Sequence, residues 1–517
     1  VTRKGDLLRS NLFCQVMIGI VAALLSTTVV AGSTTAEPGP LARFAGQAVE
    51  WRGCDSKVLD AGGVQCADIT VPLDYSRPAG RTITVAISRM AATDPARRRG
   101  VLLTNPGGPG GTGLIQGLAV GAVLSPEVLA QYDLIGMDPR GVGRSSPVDC
   151  RWPVDRFRRA PAPGMAGFAA EVVLQAELAA RCAAALGDTI SAYTTRNTAR
   201  DMDIIRAALG EPSINYYGMS YGTYLGAVFA QMFPAHIDRL VLDSAIDPGT
   251  YGSGQSLTRG ASNEAALDDW AVWAAGQDAR YHLGTTASEV RSRIERLVRR
   301  VAEQPIVVAG HTIDGSRLPL LLFLPLHSYY VDDAYAVLVR QLLDAADGRS
   351  VTLGPGDWLS GYLENTDTEV NTSAEAVIEC GDAPVPRDPH WYWANIERAR
   401  PTQPIFGALA NNITPCAFWP APAEPPTVVH NAIPALIVHS TGDPRTPYAG
   451  AEALRKAMPG TRLLTVAGMR AHVLLNAIVT DLFDNGTVDN AQLRCVRDIA
   501  DGYLRDGVLP ESDLGCR

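Results

Sequence analysis

Residues 214–226 read INYYGMSYGTYLG and set Ser220 inside a G-x-S-x-G pentapeptide, among four tyrosines and three glycines. A short β-branched and aromatic run followed at once by a helix-length apolar run predicts a strand, a sharp turn and a helix. A serine on such a turn stands at the carboxyl end of its strand, and small flanking residues relieve the crowding there. Gly218 and Gly222 are those residues. A glycine-rich turn without chemistry has the same composition, so the pentapeptide alone is a weak signal and its surroundings decide.

Those surroundings alternate. TITVAISRM at 82–90, GVLLTN at 100–105, YDLIGMD at 132–138 and RLVLD at 239–243 read as strands. Between them, Met202, Ile205, Ala208 and Leu209 form a helical stripe closed by Gly210, and YGTYLGAVFAQMF is apolar on most faces, as a buried helix is. Strand–helix alternation of this kind predicts an α/β fold with a mostly parallel sheet covered on both faces. From about 250 the pattern turns helical. TASEVRSRIERLVRRVAE aligns Val290, Ile294, Leu297, Val298 and Val301 on one face, and VDDAYAVLVRQLLDAA follows. Proline-rich WPAPAEPPTVV at 419–429 ends this stretch, after which IPALIVHSTGD and RLLTVAG resume the sheet pattern. The expected organisation is a core over 37–249, a helical cap insertion over 250–425, and the second part of the core over 426–517.

A serine hydroxyl becomes a nucleophile only when a base takes its proton, and in this architecture the chain order is serine, acid, histidine. Of the eight histidines only His472 follows the strand ending in HSTGD, and Asp443 lies just past that strand. The expected triad is Ser220, Asp443 and His472, with Asp243 and Asp247 after RLVLD as alternate acids. Backbone N–H groups must also meet a developing oxyanion. Tyr221 supplies one, and Gly107 or Gly108 of NPGGPGGTG the other, because Pro106 and Pro109 have no N–H to give. A dinucleotide loop is disfavoured for these glycines, since proline interrupts them and no acidic residue is set to hold a ribose.

The 517 residues carry a formal net charge of −9 and no Lys/Arg run that suggests a phosphate-binding face, which excludes a nucleic-acid partner as the expectation. Arg3, Lys4 and Arg9 precede an apolar core from Val16 to Leu25, and the small residues of VVAGSTTA follow. This pattern predicts a signal peptide over 1–36, cleaved after Ala31 or Ala36. The expected location is therefore secreted or cell-envelope associated, with no stable membrane insertion after cleavage; an uncleaved anchor is the rival. Removing the leader with Cys14 leaves Cys54, Cys66, Cys150, Cys182, Cys380, Cys416, Cys495 and Cys516. An even set in an exported chain predicts disulfides, and pairing neighbours in order would close four short loops. No C-x-x-C or histidine cluster supports a metal instead.

NPGGPGGTG, DPRGVGRSS at 138–146, GMSYGTYLG, VLDSAIDP at 241–248, ECGD at 379–382, CAFWP at 416–420 and GDPRTPY at 442–448 together resemble the secreted tripeptidyl-aminopeptidase group of actinobacterial α/β hydrolases, relatives of the proline iminopeptidases. The resemblance runs over roughly residues 50 to 500. It implies an α/β-hydrolase fold with a mainly helical cap, and a serine exopeptidase that releases short peptides, tripeptides in the family, from free amino termini through an acyl-enzyme. No metal or cofactor is implied, and the partner is a peptide substrate. An aminopeptidase must hold a charged amine, which calls for a carboxylate beyond the triad; Glu379 and Asp382 in the insertion are candidates, against an ordinary solvated pair. Arg140 reads as a structural brace. Where the family has a small Gly-rich turn at its histidine, this chain has Met469-Arg470-Ala471-His472. The rival readings are a secreted carboxylesterase or lipase with the same triad, and a non-catalytic envelope binding protein that kept the fold.

Overall fold

The computed structural model describes residues 39–354, 356–363 and 372–517; the expected leader with Cys14 lies outside them. Contacts discussed below fall within the unit Pro40–Arg517. Its strands are β1 (Arg52–Gly53), β2 (Gln65–Pro72), β3 (Thr82–Met90), β4 (Gly100–Asn105), β5 (Tyr132–Met137), β6 (Ile214–Met219), β7 (Ile237–Asp243), β8 (Ile306–Val308), β9 (His311–Ile313), β10 (Leu436–Ser440), β11 (Arg462–Val466) and β12 (Leu514–Cys516). Ten of them form one sheet in the order β1-β2-β3-β5-β4-β6-β7-β10-β11-β12. From β5 through β12 the neighbours run parallel, and β1, β2 and β3 add an antiparallel edge. Strands β4, β5 and β6 are buried at every position, so they read as unbroken apolar runs instead of alternating. β1, β2 and β12 lie outside the runs picked from the sequence.

The chain order reverses at β4, which sits between β5 and β6. Such a reversal opens a crevice beyond the carboxyl ends of the strands. Asn105 at the end of β4 is in register with Gly218 near the end of β6, so loop 105–113 and the turn at Ser220 leave the sheet side by side. One face of the sheet is covered by α1 (Thr195–Ala208) and α2 (Tyr221–Met232).

Between β7 and β10 no strand of the large sheet occurs among the described residues. The chain there contributes helices α3 (Ser253–Gly276), α4 (Ala287–Glu303), α5 (Asp332–Ala346) and α6 (Thr372–Asp382), with β8 and β9 as a separate hairpin. Helices α3, α4 and α5 share an apolar core of their own. Val290, Ile294, Leu297 and Val301 are buried there, and Trp270 of α3 meets the ring of Tyr335 of α5 edge-on at 4.5 Å. Each large side chain so buried contributes about 1.5–3 kcal/mol, which lets the insertion hold its shape. Among the described residues no helix is long and apolar enough to cross a membrane.

Disulfides join Cys54 to Cys66, Cys150 to Cys182, Cys380 to Cys416, and Cys495 to Cys516. Cys380 is on α6, so its bridge fixes that helix to residues 415–418. Closing loops of this length restricts the unfolded chain by about 3 kcal/mol each.

Candidate active site

Ser220 occupies the single residue between β6 and α2, with φ 54° and ψ −122°. A non-glycine residue there carries about 1–3 kcal/mol of strain and persists only where its neighbours over-determine it. They do. The Ser220 N–H donates to the Asp243 carbonyl at 2.9 Å. Gly107 presses against the turn so closely that a Cβ on it would lie 2.6 Å from Met219 O and 2.9 Å from Ser220 Cβ. Behind the serine, a Cβ on Gly218 would lie 2.4 Å from Gly222 O. The glycines of the motif therefore answer to close approach, as its sequence suggested.

The Tyr221 N–H opens α2 and has no partner among the described residues; nor has the N–H of exposed Gly108. Gly107, the other candidate, drops out because its N–H donates to Asn105 Oδ1 at 3.0 Å. The loop is steadied from below by Asp138, whose carboxylate accepts the N–H groups of Gly113 at 2.7 Å and Leu114 at 3.2 Å. Arg140 from the same motif is fully buried. Its Nε donates to Asp201 Oδ2 at 2.7 Å, and its Nη1 to the carbonyls of Ala192 and Leu73. It is a brace between α1 and the strands, away from any open space.

Asp443 follows β10 and is buried; His472 follows β11 and is half-buried. The His472 Nδ1–H donates to Asp443 Oδ2 at 2.8 Å and Oδ1 at 3.0 Å, which leaves Nε2 as the ring's acceptor. Asp443 also accepts from Arg445 N at 2.8 Å, Thr446 N at 3.0 Å and Thr446 Oγ1 at 2.9 Å. Burial works against its charge, yet the facing His472 and these donors hold its carboxyl well below the usual range.

Asp243, the alternate acid, has a different task. Its carboxylate accepts the N–H groups of Leu474 at 3.0 Å and Leu475 at 2.9 Å, the first residues of α7 (Leu474–Asn485). Next to it, Ser244 Oγ accepts from Val473 N at 2.7 Å, and the Ala245 N–H donates to Nδ1 of the buried His439. The His439 Nε2–H in turn donates to the Thr446 carbonyl at 2.8 Å, under the Asp443 loop. Three consecutive residues thus tie the serine, histidine and acid loops together. Backbone strain collects here too, since Ser220, Ser244 and Val473 all have positive φ. Asp247, the second alternate, only closes a local turn through Gly249 N.

Arg470 explains the unusual histidine loop. Its Nε donates to Asp269 Oδ2 of α3 at 2.8 Å, and its Nη2 to Asp332 at the start of α5. The backbone adds Tyr329 N to Arg470 O and His472 N to His327 O, both at 2.9 Å. The loop is therefore fastened to the insertion, a role the sequence pattern did not disclose because both carboxylates come from distant helices.

Glu379 and Asp382 lie on α6, in different surroundings. Both Glu379 oxygens accept from Arg158 Nη2 at 2.5 Å, while Arg158 Nε donates to Glu375 at 2.8 Å. Asp382 accepts from Thr195 N and Oγ1, each at 2.6 Å, and from the Tyr251 hydroxyl at 3.2 Å; burial pushes its carboxyl up to about 7. The Thr195 hydroxyl also meets the Tyr221 hydroxyl at 2.5 Å. Asp382 borders a cavity of about 680 Å³ with Tyr75 and Arg196, whereas Glu379 borders a separate one with Arg259. Neither carboxylate stands free: one is matched by an arginine, the other by hydroxyls and an amide.

Residues 100–306 match the family model described as the alpha/beta hydrolase fold, and residues 403–516 the one described as TAP-like protein. The chain is 34% identical to a tripeptidyl aminopeptidase of Streptomyces coelicolor, over 92% of this chain and 87% of that protein. It is 30% identical to the serine protease Hip1 of Mycobacterium tuberculosis, over 97% and 98% of the two chains. Its identity to a carboxylesterase B of the same organism is 32%, over 95% of each. The chain belongs to the tripeptidyl-aminopeptidase family of α/β hydrolases and is a serine hydrolase.

Proposed function

We propose that the protein is an exported serine exopeptidase that releases short peptides, tripeptides among them, from free amino termini. Ser220 attacks the scissile carbonyl while His472 Nε2 takes its proton, and Asp443 holds the ring in the tautomer that makes Nε2 the base. The oxyanion forms against the N–H groups of Tyr221 and Gly108. His472 returns the proton to the leaving amine, and water then releases the acyl group by the same route. The insertion over residues 250–425 serves as the cap.

The observation that carries this reading is the Asp443–His472 hydrogen-bonded pair combined with the left-handed turn at Ser220. The named peptidases among the relatives support the substrate class, and the four disulfides support export. A second reading, carboxylesterase, is favoured by the relative of that name and uses the same residues. Hydrolysis of a tripeptide p-nitroanilide, its N-acetylated form and a p-nitrophenyl ester separates them. The exopeptidase cuts the free-amine anilide, rejects the acetylated one and loses activity in Ser220→Ala; cleavage of the ester alone makes it an esterase.

A further inference from the structure

Gln255 and Arg259 stand one turn apart on α3, and so share a face of that helix. Both line a narrow cavity that Glu379 and Trp391 also border. Its room for the centres of water-sized groups is about 40 Å³, where one water needs only about 10–15 Å³ on that measure. The space fits a group of a few heavy atoms.

Donors crowd this cavity without acceptors to match. Nε of Arg259 and Nε2 of Gln255 are both buried with no hydrogen-bond partner. Arg158 across the cavity differs, since its nitrogens are committed to Glu375 and Glu379. Burial, with the like charge of Arg158, pulls the Arg259 guanidinium down to about 10, although Glu379, Glu375 and Asp443 act the other way. The same helix then reaches the candidate triad. One turn on, Ser262 Oγ and Asn263 Nδ2 donate to the Pro444 carbonyl at 2.9 and 2.7 Å, beside Asp443. Arg259 is thus roughly 6 Å of helix rise from the residue that grips the acid loop.

We propose that Arg259 and Gln255 form an anion subsite that holds the carboxylate of an aspartyl or glutamyl side chain on the acyl part of the peptide substrate. This rests on the peptidase reading and narrows its substrate class. A peptide carbonyl would satisfy one donor and leave the charge unanswered. A carboxylate meets the guanidinium fork with two oxygens and answers its charge as well. Glu379 stands opposite, with both its oxygens held by Arg158 Nη2.

The test is a set of tripeptidyl p-nitroanilides in which Glu and its isostere Gln are exchanged at each position in turn. One position is expected to favour Glu by about tenfold to a hundredfold in kcat/KM, the range of a charge-assisted hydrogen bond. Arg259→Gln brings that ratio to about one, Gln255→Leu lowers it, and Arg259→Glu inverts it in favour of a lysyl substrate. The inversion is a gain that a misfolded variant cannot mimic. A wild-type ratio near one at every position, or a preference that survives Arg259→Gln, overturns the subsite. So does an acidic preference seen only with free peptides and lost in the anilides, since it would belong to a terminal carboxylate. Cleavage of the p-nitrophenyl ester with every anilide intact removes the peptidase reading and the subsite with it; cleavage of anilides without preference removes the subsite alone.

Discussion

The carbonyl of Asp243 accepts the Ser220 N–H at 2.9 Å, while its carboxylate accepts the two N–H groups that open the helix after His472. One residue therefore links the turn that carries Ser220 to the loop that carries His472. Asp243→Asn offers a single side-chain oxygen where two N–H groups need acceptors, and turns an NH2 toward the other. The expected result is a fall in kcat of roughly 10²-fold from misplacement, with KM little changed. Labelling of Ser220 by a fluorophosphonate should slow in parallel. If Asp243→Asn kept full kcat, the link between the two loops would be only structural.

In the proposed mechanism Asp443 acts on the ring and not on the substrate. An amide in its place would favour the wrong tautomer of His472, with the fold largely kept. Activity of Asp443→Asn is expected to drop by about 10⁴-fold. Asp243→Asn should cost far less, and that difference identifies which carboxylate is the acid; near-equal losses would argue against the assignment.

Asp382 gives a pH dependence whose sign follows from its burial. Its folded carboxyl is raised to about 7, against an ordinary value of about 3.9, so the folded state binds the extra proton between those limits. Its contribution to stability is fully present below about pH 4 and is lost as the pH rises through about 7. Glu379, the nearest like charge, acts in the same direction, while Thr195 and Tyr251 oppose it by hydrogen bonding. Asp382→Asn removes this titration. Thermal melts from pH 5 to 8 should show the wild type losing ground to the variant as the pH rises. Parallel curves would mean that Asp382 is already ionised at pH 5.

The sequence made the strands around Ser220 legible because buried parallel strands are short apolar runs bounded by turn residues, and GVLLTN and TITVAISRM match β4 and β3 end to end. Ser220, Asp443 and His472 could be singled out because each falls at such a strand end. What stayed hidden depends on contacts between distant residues. Asp243 looked like an alternate acid, since its bond to Leu475 spans most of the second half of the chain. Gly107 and Gly108 were interchangeable until the Asn105 side chain was seen to occupy one N–H. Nothing in α3 alone reveals that Arg259 Nε is left without a partner, because pairing is decided by which helices meet.

Arg470 shows the same dependence on tertiary contact and gives a test of the histidine loop. Its guanidinium holds Asp332, a carboxylate that burial raises to about 6 even beside this arginine. Arg470→Gly would recreate a small turn of the kind other family members have, but it leaves Asp332 buried without its counter-charge. Breaking one side of a buried pair costs about 3–5 kcal/mol, whereas replacing both sides by apolar groups is often neutral. The urea midpoint of Arg470→Gly should therefore fall well below that of the wild type, and Arg470→Met combined with Asp332→Leu should recover most of the loss. A midpoint unchanged in Arg470→Gly would show that the backbone pairing of residues 327–329 with residues 470–472 is enough to hold the loop against the insertion.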